Sequence, residues 1–98
     1  MKILVAEDDN VSYELVNEIL KNRGHDIIRA TTGREAVSFC RNNPDIDLIL
    51  MDMKMPDMDG YEATAEIRKI NKRIQIIAQT ARAMTGDREK TLRVGCNE

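Results

Sequence analysis

Three acidic side chains at the ends of apolar runs are the residues best placed to do chemistry in this sequence. Glu7 and Asp8 directly follow Ile3-Leu4-Val5-Ala6, and Asp52 directly follows Leu48-Ile49-Leu50-Met51. Short continuous apolar runs bounded by turn signals suit strands buried on both faces. In a doubly wound sheet, ligands bind beyond the carboxyl ends of the strands, where the strand order reverses. If the first and third strands are neighbours, Glu7, Asp8 and Asp52 converge there. Two carboxylates about 4 Å apart repel by roughly 4 kcal/mol at an effective dielectric near 20. Three cannot all stay ionised without a cation or a raised pKa. Hard oxygen ligands with room for water suit Mg²⁺, which typically takes one or two carboxylates plus phosphate oxygens. The cluster therefore reads as a divalent-metal site awaiting a phosphoryl group. Asp9 and Asn10, by contrast, suit capping the helix that follows.

The elements that must position these residues alternate along the chain. Two further apolar runs, Ile27-Ile28 and Ile74-Gln75-Ile76-Ile77-Ala78, complete a set of four strands. Helical patterns lie between and after them. The first runs from Val11 to about Arg23, with Val11, Leu15 and Ile19 and their neighbours Val16 and Leu20 as its apolar stripe, and Gly24 at its end. The second covers about Gly33 to Arg41, opened by a Thr32/Glu35 capping box. The third starts near Gly60, capped by Asp59, and buries Ala63, Ile67 and Ile70. The fourth covers about Thr85 to Val94 and stops at Gly95, with Met84 and Leu92 as a weak stripe. The order βαβαβαβα predicts a parallel sheet with helices on both faces and right-handed crossovers.

Composition narrows the function classes. A chain of 98 residues holds one domain, and 42% hydrophobic with 33% charged residues fits a globular protein. Tyr13, Phe39 and Tyr61 are the only aromatics, too few for a base-stacking platform. No apolar run is long enough to span a membrane. Cys40 and Cys96, with His25 as the single histidine, make neither a disulfide framework nor a structural zinc site, and a reducing cytoplasm is the expected setting. His25 is expected in an exposed loop, and Cys40 in a helix core. Residues 1–66 hold 7 basic and 14 acidic side chains and the rest 8 and 3. The basic residues are scattered through helical sequence and read as solvated faces rather than a nucleic-acid surface.

Ile3 to Asp9, Asp52 closing a Leu-Ile-Leu-Met-Asp run, Met55-Pro56, Asp59-Gly60 and Thr80-Ala81 together resemble the receiver domain of two-component response regulators, over the whole chain. The resemblance implies a flavodoxin-like doubly wound α/β sheet in the order 2-1-3-4. It implies that Asp52 is the phosphoacceptor, attacking the phosphohistidine of a histidine kinase or phosphotransfer protein. Glu7, Asp8, Asp52 and the backbone carbonyl of Lys54 would hold Mg²⁺, and the Thr80 hydroxyl would meet a phosphoryl oxygen and act as the switch. Ala81 would leave room for the phosphoryl group, and the Lys54 and Arg82 side chains would flank it and tune attack by water. Met51, Met53, Met55 and Met58 are core and loop filler.

A complete receiver would continue into a fifth strand and a fifth helix, so the chain is expected to be a receiver domain over 1–98, incomplete at its C-terminus. The fourth strand is then an exposed edge, part of the first helix is uncovered, and self-association is expected. A receiver of this kind belongs to a stand-alone regulator or to a hybrid sensor kinase. Two other classes compete. An aspartate-nucleophile phosphohydrolase usually has a second acid two residues after the nucleophile, where this chain has Lys54. A receiver-fold interaction module without phosphorylation is opposed by the intact Glu7, Asp8, Asp52 and Thr80 set and favoured by the expected truncation.

Overall fold

The computed structural model of the chain describes residues 1–79, 90 and 92–97. Four strands, β1 (Lys2–Ala6), β2 (Asp26–Ala30), β3 (Leu48–Asp52) and β4 (Gln75–Gln79), are linked through helices α1 (Asn10–Lys21), α2 (Gly33–Asn42) and α3 (Gly60–Ile70). All pairings are parallel and the order is β2-β1-β3-β4, so the chain reverses direction across the sheet between β1 and β3. Ala6 stands opposite Met51 in that register, which brings Glu7, Asp8 and Asp52 to one rim. The expected doubly wound α/β fold is the observed one.

Local sequence explains where each helix starts. Asp9 caps α1 by accepting from the Ser12 amide, Thr32 caps α2 by accepting from Glu35, and Asp59 caps α3 by accepting from Glu62. The α2 box is shifted by one residue, because the Glu35 carboxylate reaches back to the Thr31 amide and hydroxyl. α1 ends two residues sooner than expected, with Gly24 left-handed (φ 81°) and donating to the Lys21 carbonyl at 2.9 Å.

Alternate strand residues point to opposite faces. Leu4, Ala6, Ala30, Ile49, Met51 and Ile76 join Ala36, Val37 and Cys40 of α2 and Ala63 and Ile67 of α3 in the main core. Met53 and Met55 fill the loop side of that core. Ile3 and Val5 are also buried, on the α1 face. That face departs from expectation. Val11, Leu15 and Ile19 are 77%, 62% and 50% exposed, while Tyr13, Val16 and Leu20 make the half-buried side. α1 carries two apolar stripes, and only one meets the sheet. In α3 the expected Ile70 is 41% exposed and Thr64 is buried in its place. His25 is half-buried rather than a free loop residue, and its Nδ1 is buried without a hydrogen-bond partner.

The expected fourth helix falls mostly outside the described residues; residues 90 and 92–94 are helical, Leu92 is exposed, and Gly95 has φ 119°. The outer edge of β4 was expected to be open, but it is occupied at Ile76. The Asn97 amide donates to the Ile76 carbonyl at 2.7 Å, and Asn97 Oδ1 accepts from the Ile76 amide at 2.9 Å. Arg68 holds this return in place by donating to the carbonyls of Asn71, Ile74 and Gly95 and to Asn97 Oδ1. Cys40 and Cys96 are free and buried; burial pushes the Cys40 thiol up to about 11 and raises that of Cys96. Among the described residues, no helix is long and apolar enough to cross a membrane.

Candidate functional site

The C-terminal ends of β1 and β3 build the site. Glu7 leaves β1 with its amide still tied to the Ala30 carbonyl of β2 at 2.9 Å. Asp8 follows in the turn before α1, and Asp52 is the last residue of β3. One carboxylate oxygen from each of the three lies within 4.8 Å of the others. Glu7 and Asp52 are half-buried and Asp8 is exposed. These are hard oxygen donors with an open side, the set that suits a small divalent cation keeping several waters.

The electrostatics follow from that crowding. Partial burial, a hydrogen bond to Asp52 and the charges of Asp52 and Asp8 push the Glu7 carboxyl up to about 7, against a smaller lowering by the Asp9 amide. A proton is therefore shared at this rim near neutral pH when no cation is bound. A carboxyl raised on folding from 4.5 stabilises the fold fully below that value and loses its contribution as pH rises through 7. The lowered carboxyls of Asp9, Glu35, Asp45 and Asp57 titrate below this window. The metal-free chain should thus melt lower at pH 8 than at pH 5. Because Glu7 is only partly buried, solvent screening trims the loss to about 1 kcal/mol, or about 4–8 °C. A divalent cation held by the three carboxylates would flatten that slope, and its affinity, measured by calorimetry, would rise from pH 6 to pH 8 as the proton leaves. A slope of the opposite sign in the metal-free melt would show that Glu7 is not the protonated partner.

The loop after β3 orients Asp52. The Lys54 amide donates to Asp52 Oδ1 at 3.0 Å. Asp57 takes a left-handed conformation (φ 70°), and its carboxylate pairs with Arg34 at the start of α2 at 2.8 Å. Gly60 then opens α3 against the β3 end, its amide donating to the Met53 carbonyl at 3.1 Å. An added Cβ there would meet the backbone of Asp52 and Met53, so the closeness of α3 to the site requires glycine.

Of the residues expected at the site, Glu7, Asp8 and Asp52 come together, and Lys54, expected through its carbonyl, meets Asp52 through its backbone amide. Thr80, Ala81 and Arg82 lie outside the described residues, although Thr80 follows Gln79, the last residue of β4, in sequence. Sequence reasoning passed over Arg29. Its Nε and Nη2 donate to the Glu7 carbonyl, both at 3.2 Å, and Nη2 also reaches the Asp8 carbonyl at 3.4 Å and Asn10 Oδ1 at 2.8 Å. The available signal was a lone basic residue one position before the end of an apolar strand, on the same rim as the acids.

Comparison with known proteins agrees with this geometry. The family model for the response regulator receiver domain matches residues 3–98. The chain is 42% identical over 105 aligned residues to hybrid signal transduction histidine kinase I of Dictyostelium discoideum, covering 99% of this chain but 6% of that protein. It is 33% identical to the polar-differentiation response regulator DivK of Brucella ovis, covering 96% of this chain and 77% of DivK. Among solved structures, CheY in the CheX–CheY–BeF3–Mg complex from Borrelia burgdorferi superposes with a TM-score of 0.93 at 27% identity, covering 99% of this chain and 74% of that one. The receiver domain of a sensor histidine kinase from Pseudomonas aeruginosa, with a magnesium ion coordinated in its active-site cleft, gives 0.90 at 39% identity, covering 98% and 80%.

Proposed function

The chain belongs to the response regulator receiver domain family, and from that premise we propose that it is a phosphorelay acceptor that takes a phosphoryl group onto Asp52 in a magnesium-dependent step and switches a downstream output. The observation that carries this reading is the meeting of Glu7, Asp8 and Asp52 at one rim, their carboxylate oxygens within 4.8 Å. The donor would be the phosphohistidine of a histidine kinase or phosphotransfer protein. Similarity to hybrid histidine kinases and to DivK supports that partner. The chain spans 6% of those first two hybrid kinases, so it would serve either as one module of such a kinase or as a stand-alone regulator. Two buried free thiols suit a reducing cytoplasm.

Each residue has a task in this reading. An Asp52 carboxylate oxygen attacks phosphorus, the P–N bond to the imidazole breaks with its electron pair passing to that nitrogen, and an acyl phosphate forms. The Lys54 amide holds the other end of the carboxylate. Glu7, Asp8, Asp52 and the Lys54 carbonyl would hold the cation, and Glu7 would give up its proton to do so. When bound, Mg²⁺ supplies charge neutralisation and orients the phosphoryl oxygens. The Thr80 hydroxyl would donate to a phosphoryl oxygen and couple the loop after β4 to the modification. Ala81, with its small side chain, would leave room for the phosphoryl group, and the Lys54 and Arg82 side chains would tune attack by water.

Intact-mass measurement after incubation with acetyl phosphate and MgCl₂ tests this function. The expected result is a gain of one phosphoryl group, trapped as homoserine at position 52 by borohydride reduction and absent when EDTA replaces magnesium. No gain, or a gain that persists in EDTA, overturns the proposal. Sustained release of phosphate from simple phosphomonoesters would favour a phosphohydrolase instead.

A further inference from the structure

The penultimate residue of β2, Arg29, is a half-buried arginine that the chemistry above does not use. The backbone ladder between β1 and β2 stops at the Glu7 amide, so the Glu7 and Asp8 carbonyls have no strand partner on that side. Arg29 supplies one. Its planar fork takes the Glu7 carbonyl with two nitrogens and the Asp8 carbonyl with one of them. Two further contacts fix the guanidinium itself: Asn10 Oδ1 accepts from it, and its Cζ lies 4.3 Å from the centre of the Tyr13 ring. The same turn carries two acidic side chains crowded against Asp52, and whenever they are ionised their repulsion drives it open.

We propose that Arg29 is a positioning residue: by gathering the Glu7 and Asp8 carbonyls it holds the turn in the form that faces both carboxylates to Asp52, and so sets the affinity for a divalent cation. The inference rests on the site being the metal-dependent phosphoacceptor proposed above. It has a sign that separates it from plain electrostatics. Arg29 is a cation beside a cation site, so through its charge alone it weakens magnesium binding, and removing it would tighten that binding. As a clamp it does the reverse. Groups that orient metal ligands from behind typically change affinity by about 10–100-fold when removed.

The test compares the 98-residue chain with Arg29→Met, Arg29→Lys and Asn10→Ala, measuring Mg²⁺ affinity by calorimetry and amide exchange of residues 7–10 in the metal-free state. Arg29→Met keeps the length and loses the donors. It should bind Mg²⁺ about tenfold more weakly and exchange faster at residues 7–10, at a temperature well below its melting point. Arg29→Lys keeps the charge but not the fork, and should recover only part of the loss. Asn10→Ala removes an anchor of the guanidinium without touching the acids; it should shift affinity in the same direction and serves if Arg29→Met fails to fold. Affinity unchanged or tighter in these variants, with a wild type that binds normally, overturns the clamp alone. A wild type that binds no magnesium overturns the phosphoacceptor reading and the clamp with it.

Discussion

Asp52→Asn should abolish phosphoryl acceptance completely while leaving the fold at least as stable as the wild type. The substitution keeps the shape of the side chain and its Oδ1, so the hydrogen bond from the Lys54 amide survives. It removes the proposed nucleophile, because an amide oxygen does not form a stable acyl phosphate. It also removes one of three crowded charges. Like charges within 4.8 Å of one another repel by roughly 3 kcal/mol or more at an effective dielectric of about 20. The burial that chiefly raises the Glu7 carboxyl remains, but loss of the Asp52 carboxylate as hydrogen-bond partner and charge lets it fall partway from about 7. Three readouts follow: no mass gain with acetyl phosphate, a metal-free melting temperature at pH 8 equal to or above that of the wild type, and a magnesium affinity lowered by at least tenfold. A variant that still gains the phosphoryl group would move the acceptor to another residue. A variant that melts well below the wild type would mean that Asp52 is chiefly structural.

Gly60→Ala should disturb the site directly, because the added methyl meets the backbone of Asp52 itself. The new Cβ would press on the Asp52 carbonyl and stand 2.6 Å from Met53 Cα. These are backbone atoms at the end of a central strand and cannot rotate aside. Either α3 backs away from β3 or the strand end moves, and both displace Asp52. Overpacking of this kind costs about 1–3 kcal/mol, which for a domain of this size is a melting temperature lower by roughly 10 °C. Displacement of a reacting group by about 1 Å can cost about a hundredfold in rate, so phosphorylation should slow even where the variant remains folded. Gly24→Ala provides the control. It is strained by its positive φ but meets nothing within 4 Å and lies far along the chain from the acids. It should lose about 1–2 kcal/mol with an unchanged phosphorylation rate in the folded molecule. Equal rates for Gly60→Ala and the wild type would show that α3 does not set the position of Asp52.

How far the sequence revealed these features depends on which kind of signal each one sends. The strands were legible because β1, β3 and β4 read as apolar runs, which only a covered sheet accommodates. The caps at Thr32 and Asp59 were legible because a side-chain oxygen three residues before Glu is a local arrangement. Glu7, Asp8 and Asp52 were legible once the runs ending in them were set side by side. The α1 face misled because Val11, Leu15 and Ile19 record an apolar surface without recording what meets it; the sheet takes the Tyr13, Val16 and Leu20 side instead. Ile70 misled for a simpler reason: it is the last residue of α3, where the helix runs past the core. Arg29 was illegible because its partners are carbonyl oxygens, which every residue carries and no sequence pattern marks. The closure of the β4 edge by Asn97 was hidden in the same way, since one side chain and one amide bridge residues 21 positions apart.

The two sequestered sulfurs give the molecule an internal clock. Cys40 sits in α2 against the main core, and Cys96 packs beside Thr64 of α3 at 3.7 Å. Neither is a thiolate at neutral pH, so a thiol-directed reagent must wait for each to reach solvent. Cys40 reports opening of the α2 layer, and Cys96 reports release of the return that Arg68 fastens to β4. The alkylation rates of the two, read from one digest, therefore time separate breathing motions without any label being introduced, and a ligand that tightens the rim would slow one hand of the clock more than the other.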